Sequence, residues 1–174
     1  MVTTKRTHPA REIALMGLLF AMAMALSVAE SLLPVLPMLP PGFKLGLSNI
    51  VTMYALFMLG VRKGLTIAVL KSCFVLLTRA PVAAFLSLCG GLTSVLCMAL
   101  LAKVGGLRRD YLLLSVVGAL AHNTGQMFAC ALVMGSGLVF YYLPVLIVSG
   151  VVMGIVTGVV LKVVMPYINK LNRN

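Results

Sequence analysis

The 174-residue sequence is 61% hydrophobic and only 10% charged, with a mean hydropathy of +1.13. A soluble domain carries roughly 25% charged residues, so this composition excludes an ordinary soluble enzyme and calls for an integral membrane protein. Lys and Arg number 14 against 3 Asp and Glu, a net charge of +11. Because these cations gather at the ends of apolar runs, they read as a topology signal and not as a nucleic-acid surface.

The length accommodates one all-α domain of about six membrane-spanning helices at roughly 20 residues each, with no room for a soluble catalytic domain. The predicted spans are 13–33, 45–61, 64–78, 82–102, 111–134 and 143–165. Lys5, Arg6 and Arg11 precede the first run like the charged front of a signal peptide. The run continues past signal-peptide length and lacks a clear small-residue cleavage site, so a retained first helix is expected. Within it Gly17, Ala21, Ala25 and Ala29 recur every four residues and share one helical stripe. Such a stripe lets another helix approach closely in lipid, inside this bundle or from a partner.

Glu30 lies one residue past the stripe, where an ionisable group should be paired or face a polar cavity. Pro34, Pro37, Pro40 and Pro41 follow and cannot continue a helix, so an extended connection is expected. The stretch Pro40-Pro41-Gly42-Phe43-Lys44-Leu45-Gly46-Leu47-Ser48-Asn49 then collects helix breakers, a cation and two polar side chains at the entrance of the second run. Polar groups in lipid are costly, and this cluster marks the first candidate site.

The second run ends at Arg62-Lys63, and the third carries Lys71 near its middle and closes at Arg79-Ala80-Pro81. In the fourth, Gly90-Gly91 permits close packing or a kink. The fifth contains His122-Asn123-Thr124-Gly125-Gln126, and Tyr141-Tyr142 follow it at a plausible interface level. The sixth has Gly150, Gly154 and Gly158 at a spacing of four. With a cytoplasmic N-terminus, all cations but Lys44, Lys71 and Arg79 fall on the cytoplasmic side, which puts both termini inside and the 40–49 entrance outside.

Those three exceptions can receive an anion such as a phosphate or carboxylate. Equally, Lys71 can pair with Glu30 or snorkel, and Arg79 can simply solvate in its turn. His122 and Gln126, four apart, share a face with Asn123 beside them, suited either to interhelical hydrogen bonding or to reading the edge of a heterocycle. Cys73, Cys89, Cys97 and Cys130 lie singly in apolar runs and read as packing residues, so no metal site is expected. No P-loop is present to power transport. A single aspartate, Asp110, rules out an aspartate-rich magnesium site for a diphosphate. No catalytic residues and no cofactor are expected.

The segment Pro41-Gly42-Phe43-Lys44-Leu45-Gly46-Leu47-Ser48-Asn49-Ile50-Val51, with Leu59-Gly60 and the later His122-Asn123-Thr124-Gly125-Gln126, resembles the bacterial family labelled heptaprenyl diphosphate synthase component I, also called Gx transporters. That family is similar to the substrate-binding S-components of energy-coupling factor (ECF) transporters. The resemblance implies a six-helix S-component-like bundle in the bacterial cytoplasmic membrane. It would capture a vitamin-like or anionic small molecule, with flavin and prenyl or quinone precursors as candidates, and dock on a transmembrane coupling protein with its ATPase pair. It further implies that Gly17, Ala21, Ala25 and Ala29 form the docking stripe and that the 34–43 connection caps the pocket. The substrate would meet Glu30, Lys44, Ser48, Asn49, Lys71, Arg79, His122, Asn123 and Gln126. The rival reading is a non-catalytic membrane accessory subunit of a prenyl diphosphate synthase or redox complex.

Overall fold

A computed structural model describes residues 9–32, 46–103 and 110–171. The described residues form six α-helices: α1 (Pro9–Leu32), α2 (Asn49–Leu59), α3 (Val61–Thr78), α4 (Pro81–Leu101), α5 (Tyr111–Met134) and α6 (Leu143–Leu171). A 3₁₀ turn, Gly137–Tyr142, joins α5 to α6. The chain is therefore an all-α bundle, as its composition requires.

Among the described residues four segments are long and apolar enough to cross a membrane: Glu12–Glu30 of α1, α4, α5, and Gly137–Val163. The second and third predicted spans differ from this. The helix of the second starts only at Asn49 and has 11 residues, which reaches roughly 16 Å, about half of a bilayer core. The third is an 18-residue helix interrupted by Arg62, Lys63 and Lys71. A single residue, Gly60, separates the two helices, at φ +95° where a side chain would be strained. Gly64 of α3 then lies against Leu56 of α2, closing a tight antiparallel hairpin.

Packing is densest where α5 lies between α4 and α6. The glycines of α6 face α5: a Cβ on Gly154 would stand 2.5 Å from the Val116 Cα, and one on Gly158 would stand 2.8 Å from the Leu112 Cα. Hydroxyls and an amide tie the same three helices together. Ser94 Oγ donates to the Gly118 carbonyl at 2.8 Å, Ser115 Oγ to the Gly154 carbonyl at 2.6 Å, and Asn123 Nδ2 to the Leu146 carbonyl at 2.8 Å. Backbone proximity of this kind replaces the hydrophobic drive that lipid removes.

Helix α1 sits at the edge. Its Leu19, Ala23 and Met24 are buried with Val51 and Ala55 of α2 and Ile67 of α3. Its stripe of Gly17, Ala21, Ala25 and Ala29 faces away from this contact, with all four residues exposed. The two stripes of identical spacing thus have different uses: that of α6 is consumed within the bundle, that of α1 is left on its surface. At the start of α1, Glu12 pairs with Lys63 of α3. The other end of the bundle gathers the close of α1, the entry to α2, the turn between α3 and α4, and the close of α5.

A polar cleft as the candidate functional site

A narrow polar cleft opens at that second end. Helices α1, α3, α4 and α5 reach it through residues one turn apart. Helix α1 contributes Ser27 and Glu30, α3 contributes Lys71, Val75 and Arg79, α4 contributes Ala83 and Ser87, and α5 contributes His122 and Gln126, with Gly46 and Ser48 entering ahead of α2. Spacings of three, four and eight keep those side chains on one face of their helix. Arg79 is exposed at the mouth. Lys71, 3% exposed, lies eight residues earlier on α3, roughly 12 Å deeper along the axis.

The entry to α2 is clasped between two charged side chains. Gly46, at φ +91°, donates its amide to Glu30 Oε1. Three residues on, Asn49 Oδ1 accepts from Lys71 Nζ at 2.7 Å. The Asn49 amide also leans on Gly46, where a Cβ would meet Asn49 Nδ2 at 2.9 Å. The backbone angle favours glycine at position 46.

At the floor, His122 and Gln126 are each 4% exposed. Gly90 of α4 forms the wall behind them: a Cβ there would stand 2.7 Å from Gln126 Cγ and 2.9 Å from His122 Cε1. His122 Nδ1 and Gln126 Oε1 are buried without a hydrogen-bond partner. An orphaned buried polar atom costs about 1–3 kcal/mol, so these two mark the cleft floor as the place where an added hydrogen-bond partner, water or ligand, would be most stabilising. Among the described residues no three His, Cys, Asp or Glu side chains come together in a metal-holding group.

Of the residues expected at the site, Glu30, Ser48, Lys71, Arg79, His122 and Gln126 converge on this cleft. Lys44 and the 34–43 connection lie outside the described residues. Asn123 departs from the expected cluster. Neighbouring helical residues point about 100° apart, and Asn123 turns instead toward α6 and lines a second, smaller space with Asn49, Ser94, Ser115 and Thr157. Ser27 and Ser87 line the cleft without having been singled out in the sequence. Serine is ordinary in a membrane helix, and only Ser27's position three before Glu30 hinted at its place.

A family model described as heptaprenyl diphosphate synthase component I matches residues 19–164. The chain belongs to this family. The matched region includes every residue of the cleft, from Ser27 to Gln126, and omits the first turns of α1. No curated protein and no solved structure matches the chain.

Proposed function

We propose that this family member is a substrate-binding membrane subunit, S-component-like, that captures a vitamin-like or anionic small molecule for an ECF-type uptake transporter. The observation that carries the reading is the cleft itself. Two cations, Lys71 and Arg79, line one space with His122 and Gln126, each of which carries a buried hydrogen-bonding atom without a protein partner. Cations answer an acidic group on the ligand, and the amide oxygen of Gln126 answers an N–H or O–H donor. In this reading the chain binds its cargo and converts nothing. Flavin and prenyl or quinone precursors are the candidate cargoes.

The charge distribution supports a setting in the bacterial cytoplasmic membrane with both termini cytoplasmic. The exposed cations Arg62, Lys103 and Lys162 lie at the bundle end opposite the cleft mouth, so the positive-inside rule turns the mouth outward. The exposed α1 stripe supports docking on a coupling protein driven by an ATPase pair. A second reading is favoured by the family's description, which names a synthase component: a non-catalytic accessory subunit of a prenyl diphosphate synthase. Purification in mild detergent followed by mass spectrometry and visible absorbance separates the two. The binding reading expects a stoichiometric small molecule, yellow if it is a flavin. An empty protein that retains a prenyl synthase contradicts it.

A further inference from the structure

Hydroxyl groups in this bundle are engaged in two ways. Ser72, Thr93 and Thr157 each donate to the carbonyl four residues back, at 2.7–2.9 Å, and Ser94 and Ser115 donate to carbonyls of the neighbouring helix at 2.6–2.8 Å. Such bonds are the ordinary state of a hydroxyl in a membrane helix, because hydrocarbon offers no other partner. Outside the cleft, only Thr52 among the described buried hydroxyls lacks a partner. The wall of the cleft departs from this pattern. Ser48 makes no capping bond to α2, and among the described residues Ser87 donates to no carbonyl. Ser87 lies one turn of α4 before Gly90, roughly 4.5 Å nearer the mouth. Gly90 backs on both His122 and Gln126, which puts the Ser87 hydroxyl near the level of Gln126, whose Oε1 also has no protein partner. Arg79 at the mouth pairs with no carboxylate among the described residues. Lys71 and Glu30 differ from these groups: Lys71 Nζ donates to Asn49 Oδ1 at 2.7 Å and Glu30 Oε1 accepts from the Gly46 amide, so both shape the site with bonds already made. Val75 and Ala83 are the apolar side chains among the lining residues.

We propose that Ser48, Ser87 and Gln126 select the cargo by its inner end: an anion whose far end carries hydrogen-bond donors and acceptors, such as hydroxyl, amide, urea or imide groups, and not an isoprenoid chain. The proposal rests on the binding reading of the cleft. A hydroxyl both donates and accepts, and the amide of Gln126 does so side by side, so this wall matches a ligand end that presents both kinds of group. A hydrocarbon end laid here would strand all three side chains in a dry interior. Sites built to hydrogen-bond their ligand discriminate most strongly against an analogue that lacks those groups. Size acts in the same direction. The gap between the side chains is about 20 Å³, room for about one water, so the part of the ligand that reaches the floor is slender and its acidic group lies toward Arg79. Among the candidate cargoes this favours flavins over prenyl precursors.

The test compares probes that share an acidic group and differ at the other end: pantothenate and flavin mononucleotide against farnesyl monophosphate. Each is added to the full-length protein in detergent, and binding is measured by native mass spectrometry and by the shift in thermal unfolding. At least one polar probe is expected to bind about a hundredfold or more tightly than farnesyl monophosphate. Ser87→Ala and Ser48→Ala are each expected to weaken that binding by about threefold to tenfold, and Gln126→Leu by about tenfold. The unliganded Ser87→Ala protein is expected to unfold at the parent temperature, because its hydroxyl bonds nothing inside the bundle. Farnesyl monophosphate bound as tightly as the polar probes, or polar binding unmoved by all three substitutions, overturns the selection by inner end and leaves the binding reading standing. Binding of none of the three probes overturns both.

Discussion

Gly90→Ala tests whether the floor of the cleft is as closely built as its geometry indicates. The added Cβ would stand 2.7 Å from Gln126 Cγ, 2.9 Å from His122 Cε1 and 2.9 Å from the His122 carbonyl oxygen. A side chain can rotate away, but the carbonyl belongs to the α5 backbone, so α4 and α5 must separate. Overpacking of this kind costs typically 1–3 kcal/mol. Replacing a helical glycine by alanine returns roughly 1 kcal/mol of propensity. Gly91→Ala is the control: its Cβ meets only Ala68 Cβ at 3.3 Å, a contact relieved by a shift of a few tenths of an ångström, so the propensity gain decides its sign. Thermal unfolding of the purified protein in detergent should show Gly90→Ala lowered by up to about 8 °C, from a net cost of up to about 2 kcal/mol. Gly91→Ala should unfold at the parent temperature or up to about 4 °C above it. Equal shifts for the two variants would refute the close α4–α5 approach behind His122 and Gln126.

Other positions separate structure from function. Ala25→Leu, on the exposed α1 stripe, should leave thermal stability and ligand affinity unchanged and abolish uptake in cells; loss of affinity together with uptake would contradict the docking role. Gln126→Leu removes a buried oxygen without a partner and should hold or raise the unfolding temperature while ligand binding falls by about tenfold or more. A drop in stability would mean that Gln126 serves packing. Gly154→Ala should destabilise by about 3 kcal/mol or more in the same unfolding assay, because its Cβ would lie 2.5 Å from the Val116 Cα; an unchanged protein would contradict the α5–α6 contact. Glu12→Gln removes an ion pair whose side chains are 38% and 37% exposed, and should shift unfolding by less than about 1 kcal/mol.

The cleft was legible where a residue had no cheap reason to be in a membrane. Glu30, Lys71, His122 and Gln126 are costly in lipid, so each pointed to a polar interior before any helix was placed. What sequence spacing did not give was the angle between neighbours. His122 and Asn123 are adjacent in the chain yet face α4 and α6, a division that depends on which helix packs on which side of α5. The two small-residue stripes make the same point. Gly17 to Ala29 and Gly150 to Gly158 follow one rule, and only tertiary packing shows that the second is buried against α5 while the first is exposed. The short α2 was hidden because hydropathy counts residues before Asn49 as part of the run. There Gly46 holds a left-handed angle that delays the helix. Ser27 and Ser87 were missed because serine carries little positional information in a membrane helix.

In the proposed role the cleft holds a small molecule through its floor and its buried lysine. Native mass spectrometry of the protein released from detergent measures this directly, by comparing the parent with Gln126→Leu and Lys71→Met. One bound small molecule per parent chain is expected, largely absent from both variants, while all three proteins remain folded. Equal occupancy in the parent and both variants would contradict it, as would an empty parent purified from cells that supply flavins and prenyl and quinone precursors.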